Sequence, residues 1–329
     1  MKRRNLLIAL GAGLATPLVS FAQQQDKIPR IGFLAARSRS TASNPDPYYD
    51  AFVQGMRALG YVDGKNLIIE WRFADGKYER LPGLATESVR LKLEVIVTHG
   101  TPSVEALQRA TSTIPIVHAA VGNPVVSGFA ASLARPGGNI TGLSLMSIDV
   151  NPKRLDLLKI MMPGLSRTAV LVNPGNSTLP ADLKSVQVAA QQIGVNVLPV
   201  DARTPEQIER GFAAMRRERA DAVIVLGDSF FVGQRRQIAE LAAQNRLPSM
   251  FYYREDVQAG GLMSYGQNLA DHYLRAATYV DKVLKGAKPS ELPIEQPTKI
   301  HLAINRKTAK ALGLAIPQEL LLRADEVIE

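Results

Sequence analysis

From Thr168 onward one pattern repeats at almost constant spacing: short β-branched runs begin at Thr168 (TAVLV), Val195 (VNVLPV), Ala222 (AVIVL) and Pro248 (PSMFYY), 27, 27 and 26 residues apart. Each interval holds one strand and one crossover helix, which is the connection that neighbouring parallel strands require. An earlier series is less regular but alike, with runs starting at Ile31 (IGFLA), Leu67 (LIIEW), Val95 (VIVT), Ile116 (IVHAA) and Ile140 (ITGLS). Apolar residues three and four apart, such as Phe52, Met56 and Leu59 ahead of Gly60, mark the helix faces that turn inward. Leu81, Leu84, Val89 and Leu91 follow the same logic. The expected fold class is therefore α/β, as two doubly wound Rossmann-like lobes with helices on both faces of each sheet.

A helix-like stretch from Pro152 to Met162 separates the two series, and a third segment closes the chain. It reads as a strand at Gly261 to Ser264, a helix from about Asn268 to Lys285, a turn punctuated by Pro289, Pro293 and Pro297, and a strand from Lys299 to Ile304. If that helix returns to the first lobe and the last strand to the second, the chain crosses between lobes three times. Lobe one is then expected to comprise 23–147 plus 265–294, and lobe two 148–264 plus 295–329. A three-segment hinge bends but resists shear.

The N-terminus reads as an export signal. Lys2, Arg3 and Arg4 precede an uncharged apolar stretch from Leu6 to Val19, and Ser20-Phe21-Ala22 offers small residues two apart before a polar run. Interrupted by Gly11, Gly13 and Pro17, the stretch is short of the roughly 20 residues that span a bilayer. Residues 1–22 are thus a signal peptide cleaved near Ala22, by the Sec route or, from Arg3-Arg4-Asn5-Leu6-Leu7, the twin-arginine route, and the mature protein is expected in the periplasm.

The 329 residues contain no cysteine, which excludes disulfides, thiolate nucleophiles, Cys-ligated zinc and iron–sulfur clusters. The formal charge is +9, yet Lys and Arg are dispersed without interleaved aromatics, so nucleic acid is not an expected partner. His99, His118, His272 and His301 have no metal-ligand spacing, and neither a G-x-S-x-G elbow nor a Walker loop is present. No catalytic residue, metal or cofactor is expected.

In open α/β sheets ligands sit beyond the carboxyl ends of the strands, where helix N-termini present free N–H groups. In lobe one, Thr98-His99-Gly100-Thr101-Pro102-Ser103 follows a buried strand: Gly100 allows close backbone approach, and Thr101 either caps the next helix or helps cradle a ligand carboxylate. His99 alone among the histidines faces the crevice, more suited to a hydrogen bond than to base catalysis. Asn123 follows the next strand and offers an amide. In lobe two, Asn173 to Ser177 contains Asn176, and Asp228 follows the Val-Ile-Val-Leu strand, where it either meets a ligand ammonium or, with Ser229, caps a helix. Tyr252, Tyr253 and Phe230 either stack on a flat ligand or form the core edge. Ser38, just beyond the first strand, completes the candidate set.

Several segments resemble a known family: Ile31-Gly32-Phe33-Leu34, Ala51 to Gly55 with Leu59-Gly60-Tyr61, Ala110 to Val117, Ser132 to Gly142, Gly260 to Gly266, Lys285 to Pro289 and Leu312 to Pro317. The chain is similar to substrate-binding proteins of ABC transporters, in the subgroup resembling the tryptophan/tyrosine-binding protein TrpX. The resemblance implies a type I periplasmic binding protein fold, a monomer whose lobes close on a small-molecule ligand and dock on an ABC permease in the inner membrane. It carries Thr101, Ser103, Asn123, Asn173, Asp228 and the Tyr252 region over as binding candidates. One departure stands out: relatives often read Gly-Asp-Pro-Val where this chain has Gly122-Asn123-Pro124-Val125, so a possible ammonium partner is lost. The same fold could serve a ligand sensor docking on a membrane receptor, or a cofactor-independent enzyme using His99 or Asp228.

Overall fold

The structure, a computed structural model, describes residues 28–41, 46–296 and 299–329. The signal segment expected over 1–22 lies outside the described residues. Runs such as VIVT and IVHAA offer water no polar face, so they form strands covered on both sides. β1 (Arg30–Ala35), β2 (Ile68–Phe73), β3 (Val95–Thr98), β4 (Ile116–Val121) and β5 (Ile140–Ser144) make an all-parallel sheet in the order β2-β1-β3-β4-β5. Between them run α1 (Pro47–Ala58), α2 (Leu81–Arg90) and α3 (Thr101–Ala110). Phe33, Val97 and Val117 pack on one face with Phe52 and Met56, while Leu34, Ile96 and Ile116 pack on the other with Leu81, Ala85 and Leu107.

The second series continues through α4 (Ser147–Met161), β6 (Arg167–Val172), α5 (Leu179–Gln192), β7 (Asn196–Asp201), α6 (Pro205–Arg217), β8 (Ala222–Val225), α7 (Ser229–Gly233), α8 (Arg235–Gln244), β9 (Ser249–Phe251), α9 (Arg254–Gln258) and β10 (Met263–Gly266). After α10 (Leu269–Leu284) come β11 (His301–Asn305), α11 (Arg306–Ala311), α12 (Gln318–Arg323) and β12 (Glu326–Ile328). The seven strands lie in the order β12-β11-β10-β9-β8-β6-β7, and only β10–β11 is antiparallel. The expected doubly wound α/β class is what the chain adopts.

One detail differs from expectation and two go beyond it. The helix read from Pro152 begins at Ser147 and carries the proline inside, because Ser147, Val150 and Asn151 are buried and packing draws them into the helix. The last long strand is antiparallel, since the chain returns to the second sheet from α10 on the first lobe. A short edge strand, β12, follows it, too brief to leave a periodic signal.

α10 follows a strand of the second sheet yet buries Tyr273, Ala276, Ala277 and Val280 in the first lobe's core, against α1. Gly55 permits that approach: a Cβ there would lie 2.7 Å from the Leu274 carbonyl oxygen and 2.8 Å from the Ala277 Cβ. Gly83 in α2 has open space instead. Gly55→Ala should therefore lower stability by about 1–3 kcal/mol through overpacking. Gly83→Ala should raise it by up to about 1 kcal/mol through helix propensity. Urea denaturation of the two variants checks the opposite signs.

Candidate functional site

Both sheets share one topological feature. The chain lays β2 on one side of β1 and then returns to the other side with β3; β7 and β8 flank β6 in the same way. At such a reversal the following helices leave to opposite faces and open a crevice beyond the strand ends. In the first lobe, β1 runs into Arg37 and β3 into His99, and Arg37 Nη1 lies 3.1 Å from His99 Nδ1. Arg37 is buried, pairs with Asp46 at 2.9 Å, donates to the Tyr273 hydroxyl at 3.2 Å and lies 5.0–5.8 Å from the ring centres of Tyr48, Tyr49 and Tyr273. A guanidinium only donates, so His99 Nδ1 accepts and the ring carries its hydrogen on Nε2. Burial, and then the Arg37 charge, push the His99 pKa well below its usual value.

In the second lobe, β6 runs into Asn173 and β8 into Asp228. Asn173 Nδ2 donates to Asp228 Oδ1 at 2.9 Å, Asn176 Nδ2 donates to Oδ2 at 2.9 Å, and the Phe230 N–H donates to Oδ1 at 3.0 Å. Burial raises the Asp228 pKa, and these donors oppose the rise.

The two reversals meet across the cleft. The Tyr78 hydroxyl of the first lobe donates to Asp228 Oδ1 at 2.9 Å and accepts from the Phe230 N–H at 2.9 Å. The Ser229 hydroxyl donates to His99 Nδ1 at 3.1 Å, and Ser177 bonds to the Glu105 carboxylate. Gly100, with φ +84°, faces Ser229 so closely that a Cβ would stand 2.4 Å from its Oγ. The cavity enclosed between the lobes is about 20 Å³.

Of the residues singled out from the sequence, His99, Gly100, Thr101, Asn176, Asp228, Ser229, Tyr252 and Tyr253 line this cavity. Asn173 stands one bond behind it, on Asp228. Three lie elsewhere. Ser38 is exposed and lines an outer cavity at the cleft mouth. Asn123 folds its Oδ1 onto the Val126 N–H at 3.1 Å, closing its own turn. Ser103 is buried behind the first turn of α3, its hydroxyl without a hydrogen-bond partner. Thr101 is not the helix cap: Gly100 holds that position, because only a glycine adopts its φ without strain, and Thr101 is the first helical residue. Asp228 does cap α7. Phe230 belongs to the core edge, packed with Phe231 and Val225.

Sequence reasoning missed Arg37, Tyr78, Arg154 and the lining residues Leu145, Ser147 and Thr178, whereas Gly122 lines the cavity from the strand-end loop that the sequence pointed to. Arg37 had a usable signal, as a charge two residues past the strand that sets the reversal. Tyr78 had none, since it reaches the cleft from a 3₁₀ turn before α2. Arg154, fully buried, places its guanidinium 3.3 Å from the Tyr252 ring centre and donates to the Tyr265 carbonyl at 2.7 Å. Tyr252 in turn donates to the Leu145 carbonyl at 3.1 Å, so its ring is held against the cavity. Among the described residues no group of three or more His, Asp or Glu could hold a metal.

Residues 43–328 match the family described as ABC transporter substrate binding protein. The chain belongs to this family. A tyrosine-binding protein of Clostridioides difficile is 26% identical over 264 residues, 80% of this chain and 75% of the relative. An ABC domain from Streptococcus pneumonia in complex with L-Trp superposes with a TM-score of 0.82 at 23% identity, covering 92% of this chain and 100% of the other. The ligand-free, open structure of a substrate binding protein with adhesive properties from Clostridium difficile superposes with a TM-score of 0.62 at 24% identity, covering 92% and 99%. As a substrate-binding protein of an ABC transporter, the chain binds a small ligand.

Beneath this cavity Asp256 accepts from the Tyr253 N–H at 3.2 Å, and burial pushes its pKa up to about 7. Its folded pKa exceeds the unfolded value of 3.8, so the contribution of this group to stability falls as pH rises from about 4 to about 7. His118 and His272, pushed down to about 4 by burial, act in the opposite direction below about 6.5. Asp256→Asn isolates the aspartate: it should raise the Tm by several degrees at pH 8 and by less than half as much at pH 5, as thermal unfolding at both pH values will show.

Proposed function

We propose that this substrate-binding protein captures an aromatic amino acid between its lobes in the periplasm and delivers it, as a monomer, to a membrane permease. The observation that carries the reading is the juxtaposition of three complementary groups around one cavity. The first-turn N–H of Thr101 has no intrahelical acceptor and suits a carboxylate, with about 0.3–2 kcal/mol from the helix dipole. Asp228 Oδ2 receives a single protein donor, Asn176, and so retains a lone pair for an ammonium group. Tyr252, held by Arg154, presents a fixed ring beside Tyr253, with the two centroids 5.0 Å apart. The tyrosine-binding relative and the L-Trp complex support the aromatic assignment.

Capture works by hinge closure. A cavity of about 20 Å³ holds about one water, so an amino acid enters only when the lobes separate. Its contacts to both lobes then replace or join the Tyr78–Asp228 and His99–Ser229 bonds and favour the closed arrangement by their differential affinity. The closer superposition on the L-Trp complex than on the open relative, at nearly equal identity, supports reading the present arrangement as closed. Among the described residues we assign lobe one as 28–147 plus 267–296 and lobe two as 148–266 plus 299–329, with the hinge at the three crossings; the boundary expected at 264/265 moves because β10 pairs with β11 through Gly266, and the one expected at 294/295 moves because Glu295 bridges to Leu143 of the first sheet. No catalytic step belongs to this scheme: His99 has Nδ1 occupied by Arg37 and Ser229, and its depressed basicity is wrong for a general base.

Titration calorimetry on protein unfolded and refolded to strip bound ligand tests the reading, with L-tyrosine and L-tryptophan against L-alanine and tyramine. Micromolar binding of an aromatic amino acid, weakened at least tenfold by Asp228→Ala, is expected; binding of tyramine as tightly as tyrosine would remove the carboxylate site. Closure has its own test. Gly100→Ala should retain the fold by circular dichroism yet weaken binding at least tenfold, because its methyl collides with Ser229, and Ser229→Gly in the same chain should recover part of the loss.

A further inference from the structure

The outer cavity at the cleft mouth is separate from the one described above and larger, about 300 Å³, at the lower bound of small-molecule sites of roughly 300–1,000 Å³. Both lobes build it: Ser38, Arg39 and Asp75 from the first, Gln234 and Arg235 from the second, with buried Arg37 at its floor. Its charges do not cancel. Asp46 is taken by Arg37 at 2.9 Å, and Asp75 is taken by Arg80. That leaves Arg39 and Arg235, and among the described residues neither has a carboxylate within ion-pair distance. Arg235 is not loose: its guanidinium sits 5.6 Å from the Tyr48 ring centre, with Nη1 3.5 Å from the Tyr48 hydroxyl. Glu255 and Asp256, buried on its own lobe, lie beyond ion-pair distance; burial raises the pKa of both, and the Arg235 charge works against that rise.

Closing the lobes thus brings two guanidinium groups without an ion-pair partner, one from each lobe, into a single polar cavity. Like charges brought together oppose closure unless an anion lies between them. We infer that this mouth cavity is a second binding site, for a small organic acid carrying two negative charges, such as a dicarboxylate or a phosphate ester, that bridges Arg39 and Arg235. The anion bonds to both lobes only when they are closed, so it stabilises the closed arrangement and, by linkage, tightens whatever occupies the inner cavity. The two cavities share only Ser229 in their linings, and Arg39 and Arg235 belong to the outer one alone, so the inference does not depend on which ligand the inner cavity takes.

Succinate and its neutral diamide, succinamide, are the probes, applied to the ligand-stripped protein by titration calorimetry and thermal unfolding at matched ionic strength in potassium chloride. Succinate should bind and raise the Tm, succinamide should do neither, and the double change Arg39→Gln with Arg235→Gln should weaken succinate at least tenfold. Arg39→Gln alone, at an exposed side chain, should weaken it severalfold with an unchanged circular dichroism spectrum. Equal binding of the diamide, full affinity in the double variant, or no binding of succinate at any ionic strength would each overturn the site. If L-tyrosine displaces succinate competitively, the anion occupies the inner cavity and the inference fails, whereas failure of tyrosine to bind leaves it intact.

Discussion

A carboxylate taken out of water must be solvated by protein, and the cleft is organised around meeting that need for Asp228. Its donors come from β6's extension (Asn173), from the turn beyond it (Asn176), from the first amides of α7 and, across the cleft, from Tyr78. Three of the four belong to the second lobe, so the charge survives when the lobes part, and the fourth rewards their meeting. An unpaired buried charge would cost several kcal/mol. The opposite wall holds the mirror arrangement, in which Arg37 is stabilised by Asp46 and by three tyrosine rings and fixes the tautomer of His99. A buried cation on one side and a buried anion on the other thus set the polarity of the cleft, with His99 and Ser229 as neutral contacts between them.

Much of this was legible in the sequence because parallel sheets leave a strong one-dimensional trace. Continuous apolar runs, near-constant in spacing in the second series and less regular in the first, located nine strands, and strand ends in an open sheet are where ligands go, so eight cavity-lining residues followed from position alone. What failed has physical reasons. Ser38 and Asn123 also follow strands, but one points outward and the other spends its side chain on its own turn. Thr101 carries the capping chemistry, yet the backbone there needs a positive φ, and Gly100 supplies it.

The residues that escaped reach the cleft through tertiary routes. Tyr78 arrives from a turn between β2 and α2, and Arg154 from the middle of α4 below the ring it supports. Neither position has a periodicity or a motif to mark it. Strand order is likewise silent in a sequence: that β3 returns to β1 and β8 to β6, which places Arg37 beside His99 and Asn173 beside Asp228, appears only once the sheets are assembled.

The placement of α10 bears on how the chain is made. One face of the first sheet is covered by α1 together with Tyr273, Ala276, Ala277 and Val280, and these last four leave the ribosome only after the second lobe's strands through β10 have been synthesised. During that interval the earlier lobe has its strands and α1 but lacks the rest of that face's cover, and part of its apolar surface stays bare, as in other chains whose cores close through distant contacts. Native packing of the first lobe is thus postponed by the order of synthesis. A nascent chain arranged this way stays open to chaperones for most of its translation.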